Sequence, residues 1–378
     1  MVISQMMSEN KMEYRGSKSA NLLNNVAVKE QRADGSWCIN PNLIIMHLRC
    51  ALVGFERNYR IKILSKQLKN RRFSTLNSLS KLHPFYVSGL VDAEGSFSTT
   101  IYRSNKYKLG WCVQSYFQIS LHSRDLDLLL QLQQYFGRIG SISKGKTRNT
   151  VNYSVAGVKD LTTIIIPHFE NFPLLSKKGA DFLLFKQIVE LIKNKDHLTS
   201  EGLLQIINIK ASMNLGLSDI VKNNFNNIIP VDRPIISTTN LKYPQWIAGF
   251  VCGEGNFGVK IKKSKKNKIG YQIQLIFILT QHQRDIKLME NLKNYFGSGT
   301  IKKDTRHPAV YLILINLSDI TNKIIPLFEK YPILGIKQLD YLDWCKVAKL
   351  MKEGSHLTRE GLDLIRKIKT GMNKGRKF

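Results

Sequence analysis

The apolar positions of this chain change their spacing twice in the same order. From residue 84 to 94 they cluster (Phe85, Tyr86, Val87, Leu90, Val91, Ala93), behind Pro84 and ahead of Gly95. Proline suits a first helical turn and glycine the position just past a helix end, so the segment is predicted helical. Alternation follows. After Glu254 the apolar Phe257, Val259 and Ile261 are separated by Gly258, Lys260 and Lys262, the pattern of a half-buried strand with a basic outer face. A second strand is predicted over 111–121, with Trp111, Val113, Phe117, Ile119 and Leu121 on one face. Gln114, Tyr116, Gln118 and Ser120 occupy the other. A helix over 124–136, two short strands after Gly137 and Gly140, and helices near 161–169 and 180–193 complete the pattern. The order α-β-β-α-β-β-α, with helical additions, predicts an α+β fold with one four-stranded antiparallel sheet per copy.

The chain is written twice. Gly89-Leu-Val-Asp-Ala-Glu94-Gly95-Ser-Phe97 returns as Gly249-Phe-Val-Cys-Gly-Glu254-Gly255-Asn-Phe257, a shift of 160. Arg124-Asp125 and Tyr135-Phe136-Gly137 return as Arg284-Asp285 and Tyr295-Phe296-Gly297. After one slip, to a shift of 159, four more blocks match, among them His197-Leu-Thr-Ser-Glu-Gly202 with His356-Leu-Thr-Arg-Glu-Gly361. Two copies of one domain, 84–220 and 244–378, are thus joined by a linker, 221–243, whose Asn-rich start and Pro230 and Pro234 suit an exposed, semi-rigid connection. Residues 1–80 form an extension without a partner in either copy, and its first ~35 residues are expected to be poorly ordered.

Charge narrows the function. Against 28 Asp+Glu stand 57 Lys+Arg, a formal net charge of +29 in 378 residues. That excess repels itself in a compact monomer and calls for a polyanionic partner. Because the basic residues spread along the whole chain, nucleic acid fits best. No helix-turn-helix, finger or basic zipper signature is present. The five cysteines (Cys38, Cys50, Cys112, Cys252, Cys345) are scattered and form no CxxC pair, which points to reduced thiols rather than a zinc site or a disulfide framework. No run reaches the ~18 apolar residues a membrane span needs; the best, from Leu43 to Phe55, is broken by His47 and Arg49.

At Val87-Ser-Gly-Leu-Val-Asp-Ala-Glu-Gly95 and Ile247-Ala-Gly-Phe-Val-Cys-Gly-Glu-Gly255 the chain resembles the LAGLIDADG homing endonucleases, of the single-chain, two-repeat type found in organellar introns. Val28-Lys-Glu-Gln-Arg32 with Gly35-Ser-Trp-Cys38, and Arg49-Cys-Ala-Leu-Val-Gly-Phe-Glu-Arg-Asn58, resemble the leader of fungal mitochondrial intron-encoded reading frames. The resemblance implies two pseudo-symmetric αββαββα repeats packed through their motif helices, in a mitochondrial monomer that cuts double-stranded DNA and engages no membrane. Small residues at Ser88, Gly89, Ala248 and Gly249 are expected to let those helices approach closely. Glu94 and Glu254 then meet at the foot of the pair, where the helix dipole disfavours their charge and a divalent cation would offset that penalty.

By the same resemblance Glu94 and Glu254 are the catalytic acids, one per DNA strand, holding Mg²⁺ or another divalent ion such as Mn²⁺. The Ala93 and Gly253 carbonyls are accessory metal ligands, and Lys178 and Lys337 match the lysine near the scissile phosphates. Gln281 matches the water-positioning glutamine; its counterpart, Leu121, is a departure that predicts a weaker first pocket and sequential nicking. Cys252, where the first repeat has Asp92, is a second departure, at a position that is no metal ligand in the family.

Strands of ~10 residues at ~3.3 Å each span about ten base pairs, so two sheets side by side cover roughly 20 base pairs of major groove. The expected readers are Ser98, Thr100, Tyr102, Gln114 and Gln118 in one half and Lys260, Lys262, Gln272, Gln274 and Lys302 in the other. The lysine run from Lys262 to Lys268 suits phosphate contact. Unlike side chains in the two halves imply an asymmetric target. The alternative is an RNA-binding maturase that assists splicing of its group I intron, with or without nuclease activity.

Overall fold

The computed structural model describes residues 82–145, 149–236 and 241–376, within one compact unit, Lys81–Phe378. The extension, its leader blocks and Cys38 and Cys50 lie outside the described residues. Helix α1 (Pro84–Glu94) starts on Pro84 and runs without a loop into strand β1 (Gly95–Arg103). Gly95 is extended (φ −83°), not left-handed. A Cβ there would lie 2.5 Å from Val91 Cγ1, so glycine is required by close approach to the last helical turn.

Strand β2 (Trp111–His122), helix α2 (Leu126–Tyr135), β3 (Ser141–Lys144) and β4 (Thr150–Val155) follow, then α3 (Lys178–Lys193) and α4 (Ser200–Ala211). The second repeat has α5 (Pro244–Glu254), β5 (Gly255–Lys263), β6 (Tyr271–His282), α6 (Ile286–Phe296), β7 (Thr300–Lys303), β8 (Ala309–Leu314), α7 (Lys337–Lys352) and α8 (Arg359–Thr370). The sheets are antiparallel, ordered β1-β2-β4-β3 and β5-β6-β8-β7. The expected α+β architecture, two αββαββα repeats, is the observed one. Each helix expected before α3 or α7 opens as a π-turn, Leu161–Ile165 or Ile320–Ile324, which hands over to a short helix containing Pro167 or Pro326. A wider turn relieves the hydrogen bond that a proline cannot donate.

The inner faces of the sheets carry the core. Phe97 opposes Phe117 and Phe257 opposes Phe277 in register. Around Phe97 stand Phe169, Phe182 and Phe185; around Phe257 stand Phe328, Tyr341 and Trp344, the residues 159 positions on. Each fully buried aromatic contributes roughly 1.5–3 kcal/mol. Where the core ends, pairing is polar: Thr99 and Ser115, opposite one another, share a buried hydrogen bond of 2.8 Å.

The linker is exposed at Ile229 and Ile235 yet tied down by an arginine. Arg233 donates to both carboxylate oxygens of Asp181 on α3, at 2.9 and 2.8 Å. In the second repeat Arg376 does the same work from the C-terminal tail, reaching Asp340 at 2.9 Å and Asp343 at 2.6 Å. The two arginines lie outside every matched block, so the clamp is repeated although the sequence is not. Arg376→Ala is expected to cost about 1–3 kcal/mol by leaving the buried Asp340 carboxylate with the Asn373 N–H but no positive charge, read as a Tm lower by roughly 2–6 °C.

Candidate active site

Helices α1 and α5 meet at glycine. A Cβ on Gly89 would sit 2.0 Å from the Trp246 carbonyl oxygen, and one on Gly249 2.0 Å from the Tyr86 carbonyl oxygen. One turn further on, a Cβ on Gly253 would lie 2.4 Å from Ala93 Cβ. The contact therefore repeats every fourth residue, through Gly89 and Ala93 on one side and Gly249 and Gly253 on the other. Ser88 is not part of it. One position along a helix is ~100° of rotation, and Ser88 turns into its own repeat, donating to the Phe172 carbonyl at 2.7 Å.

Where the helices end, two acids and two lysines are gathered. Burial raises the Glu94 carboxyl above its ordinary range, opposed by Lys337 and then Lys178. Burial first, and then Glu94 itself, push Glu254 up to about 8, opposed by Lys178 and Lys337. Desolvation acts in the same direction as the helix-dipole effect expected from the sequence. Lys178 Nζ donates to the carbonyls of Val91 (2.9 Å) and Ala93 (3.4 Å), and Lys337 Nζ to that of Gly253 (2.5 Å). Burial lowers the Lys178 ammonium, opposed by Asp92, Glu254 and Glu94.

A group that binds more protons folded than unfolded loses its stabilising contribution as pH rises. For Glu254 that window runs from its ordinary 4.5 to about 8. In chelator, Glu254→Gln is therefore expected to raise Tm at pH 9 by roughly 3–6 °C and to leave it unchanged at pH 4. Differential scanning fluorimetry at both pH values checks this.

The turns leading into α3 and α7 are pinned by side chains from α1 and α5. Asp92, 1% exposed, accepts from Leu175 N–H (2.8 Å), Ser176 N–H (3.1 Å), the Ser176 hydroxyl (2.6 Å) and, across the repeats, Trp246 Nε1–H (2.8 Å). In the second repeat Cys252 donates to the Leu334 carbonyl at 3.3 Å, and the Tyr86 hydroxyl, at the position matching Trp246, accepts from Leu334 N–H at 3.1 Å. Tyr86, in place of Trp246, thus takes over the bond that Asp92 makes to Leu175 N–H, but not those it makes to Ser176. Cys112, Cys252 and Cys345 are free thiols.

Two copies of one motif helix, each ending in an acid and packed through glycine, are the defining feature of the molecule. A model of the LAGLIDADG endonuclease family matches residues 87–189 and 247–348. The chain belongs to the LAGLIDADG endonuclease family. It is 52% identical to the probable intron-encoded endonuclease 3 of Neurospora crassa over 379 residues, covering 96% of this chain and 70% of that protein. Among solved structures, the I-SmaMI LAGLIDADG homing endonuclease bound to cleaved DNA superposes with a TM-score of 0.77 at 46% identity, covering 79% of this chain and 99% of that one. I-SmaMI bound to uncleaved DNA target in the presence of calcium ions gives 0.76 at 46% identity, covering 78% and 100%.

In this LAGLIDADG endonuclease the strands adjoining the acids carry polar outer faces. Ser98, Thr100, Tyr102, Gln114 and Gln118 share one face of β1 and β2, with Thr100 opposite Gln114. Lys260 opposes Gln274 and Lys262 opposes Gln272 on β5 and β6, while Lys302 of β7 opposes Tyr311. Tyr102 is 47% exposed. Sequence reasoning left out Asn152 and Ser154 of β4, which the register sets beside Ser120 and Gln118, and Thr280 beside Tyr311. The signal for Asn152 and Ser154 is the period of two in the short strand β4, and that for Thr280 the same period in β6. The lysine run forms the exposed β5–β6 turn, closed by Ser264 N–H on the Gly270 carbonyl. Gln281 differs from the readers: it is 8% exposed, and its amide oxygen accepts from the next backbone N–H, that of His282, at 2.8 Å.

The donor set suits a hard divalent cation. Glu94 and Glu254 are carboxylates, and the Ala93 and Gly253 carbonyls already face a positive charge, each accepting from a lysine ammonium. No cluster of three or more His, Cys, Asp or Glu capable of holding a metal occurs among the described residues, so such an ion would rely on DNA oxygens and water for the rest of its shell. No described helix is long and apolar enough to cross a membrane.

Proposed function

We propose that this chain is a site-specific homing endonuclease that cuts both strands of an asymmetric DNA target of roughly 20 base pairs. The observation that carries the reading is the cluster of two buried carboxyls and two lysines at the foot of a glycine-packed helix pair. A divalent cation held by Glu94, Glu254 and the Ala93 and Gly253 carbonyls would supply a Lewis acid that stabilises charge developing on the scissile phosphates. Mg²⁺ or Mn²⁺ fits this donor set. The rest is assigned to the protein itself.

Glu94 and Glu254 are the catalytic acids. With its carboxyl pushed up to about 8, Glu254 keeps a proton at neutral pH until positive charge arrives beside it. Lys178 and Lys337, held on carbonyls in the free protein, are released toward phosphate oxygens and offset their charge. Gln281, at the acid end of β6, would orient water through its amide nitrogen, its oxygen being spent on His282. The outer faces of β1, β2, β5, β6 and β7 read base edges, and the lysine turn follows the backbone. The fungal intron-encoded relative supports a mitochondrial setting.

The test is cleavage of a supercoiled plasmid library carrying intronless organellar gene segments, with and without Mg²⁺. Metal-dependent linearisation at one site supports the proposal. Absence of cutting together with tight, specific binding to host group I intron RNA would replace it with the maturase reading.

A further inference from the structure

The Arg-Asp blocks that recur at 124–125 and 284–285 have no part in the chemistry above. In the structure each aspartate crosses to the other repeat. Asp285, in the 3₁₀ turn Gln283–Asp285 before α6, accepts from Lys177 N–H at 2.6 Å, at the start of α3. Asp125, in the matching turn Ser123–Asp125 before α2, accepts from Ile336 N–H at 2.7 Å, at the start of α7. The next residue in each helix is the site lysine, Lys178 or Lys337. These bonds join positions 108 and 211 apart in sequence. A carboxylate on the first free N–H groups of a helix fixes where that helix begins and which way its first side chains project.

We propose that Asp125 and Asp285 are positioning residues, each setting the lysine of the opposite repeat, so that each strand-cutting centre is completed only by the docking of both repeats. The inference rests on the endonuclease reading above. It deepens that reading by naming what couples the two centres.

The two latches are unequal. At the start of α3 the Ser176 hydroxyl also accepts from Lys178 N–H at 3.1 Å, and Ser176 is itself held by Asp92. The matching positions in the second repeat are Gly335 and Cys252, which offer no carboxylate or hydroxyl. Gly335, with φ +70°, brings the backbone so close that a Cβ would lie 2.4 Å from Asp125 Oδ1. The start of α7 therefore leans on Asp125 more heavily than that of α3 leans on Asp285.

The experiment is strand-resolved, single-turnover cleavage of an end-labelled target duplex by the full chain, with Lys178→Ala and Lys337→Ala as references. Asp285→Ala is expected to slow the strand that Lys178→Ala slows, by roughly 3-fold relative to the other strand. Asp125→Ala is expected to slow the Lys337-dependent strand by at least about 10-fold. DNA affinity in Ca²⁺ stays within about 3-fold of wild type, which separates positioning from loss of fold. Asp125→Asn and Asp285→Asn, which keep an acceptor oxygen, recover at least half of the lost strand ratio. They remain informative should the alanine variants fail to fold.

Equal slowing of both strands, slowing of the wrong strand, or no rescue by asparagine overturns the proposal. So do lysine references that show no strand bias. Failure of the wild-type chain to cut would instead overturn the endonuclease reading, and this inference with it.

Discussion

Replacing both acids, Glu94→Gln with Glu254→Gln, is expected to slow DNA cutting by at least roughly a thousand-fold and to change DNA affinity by only a few-fold. Glutamine matches glutamate in size and keeps an acceptor oxygen, so the helix pair above it is not disturbed. What disappears is the pair of negative charges that can hold a cation against phosphate. Those charges are costly in the free protein: burial raises both carboxyls, and Glu94 raises Glu254 further. Such a cost at matched positions is what a site for an incoming positive charge requires. The strand faces assigned to DNA reading contain neither residue, so binding is expected to survive. Plasmid cleavage, with gel shifts at one fixed salt concentration, measures both. A double variant that still cuts within ten-fold of wild type would remove these acids from the mechanism.

The second large effect is structural. Gly89→Val or Gly249→Val is expected to destabilise the protein by at least about 4 kcal/mol, enough to leave little folded chain. The added Cβ would overlap a backbone carbonyl of the opposing helix at 2.0 Å, and backbone inside a helix cannot move aside as a flexible side chain can. Separating the helices to make room would also part Gly253 from Ala93 and draw Glu254 away from Glu94. Ser88→Ala is the control. It loses one hydrogen bond to Phe172 inside its own repeat and is expected to cost only about 1 kcal/mol. Equal behaviour of the Gly89 and Ser88 variants in thermal unfolding and soluble yield would refute the close-approach account.

Much of the fold was readable in the chain. The switch from clustered to alternating apolar residues at Gly95 and Gly255, the recurrence of Glu94 as Glu254 and the polar faces of β2 and β5 are local patterns. Period and spacing record them directly. The recurring acids and the polar strand faces are legible for that reason, whereas Lys178, Lys337 and the catalytic role of the acids come only from the family resemblance.

Other features left no such record. Gly89 rather than Ser88 makes the helix contact because of a rotation about α1 that matters only once α5 is opposite. Gly95 reads as a helix terminator, yet what requires it is the room taken by Val91. The resemblance places Lys178 and Lys337 near the scissile phosphates, but their bonds to the Ala93 and Gly253 carbonyls exist only after the helices fold back on the motif. Arg233 and Arg376 do one job from unrelated stretches of sequence. Asp125 and Asp285 were seen to recur, while their destination, the opposite repeat, was invisible. The physical reason is common to all of these. Secondary structure follows from neighbours a few residues apart, whereas a hydrogen bond across 108 or 211 positions depends on where two whole repeats come to rest.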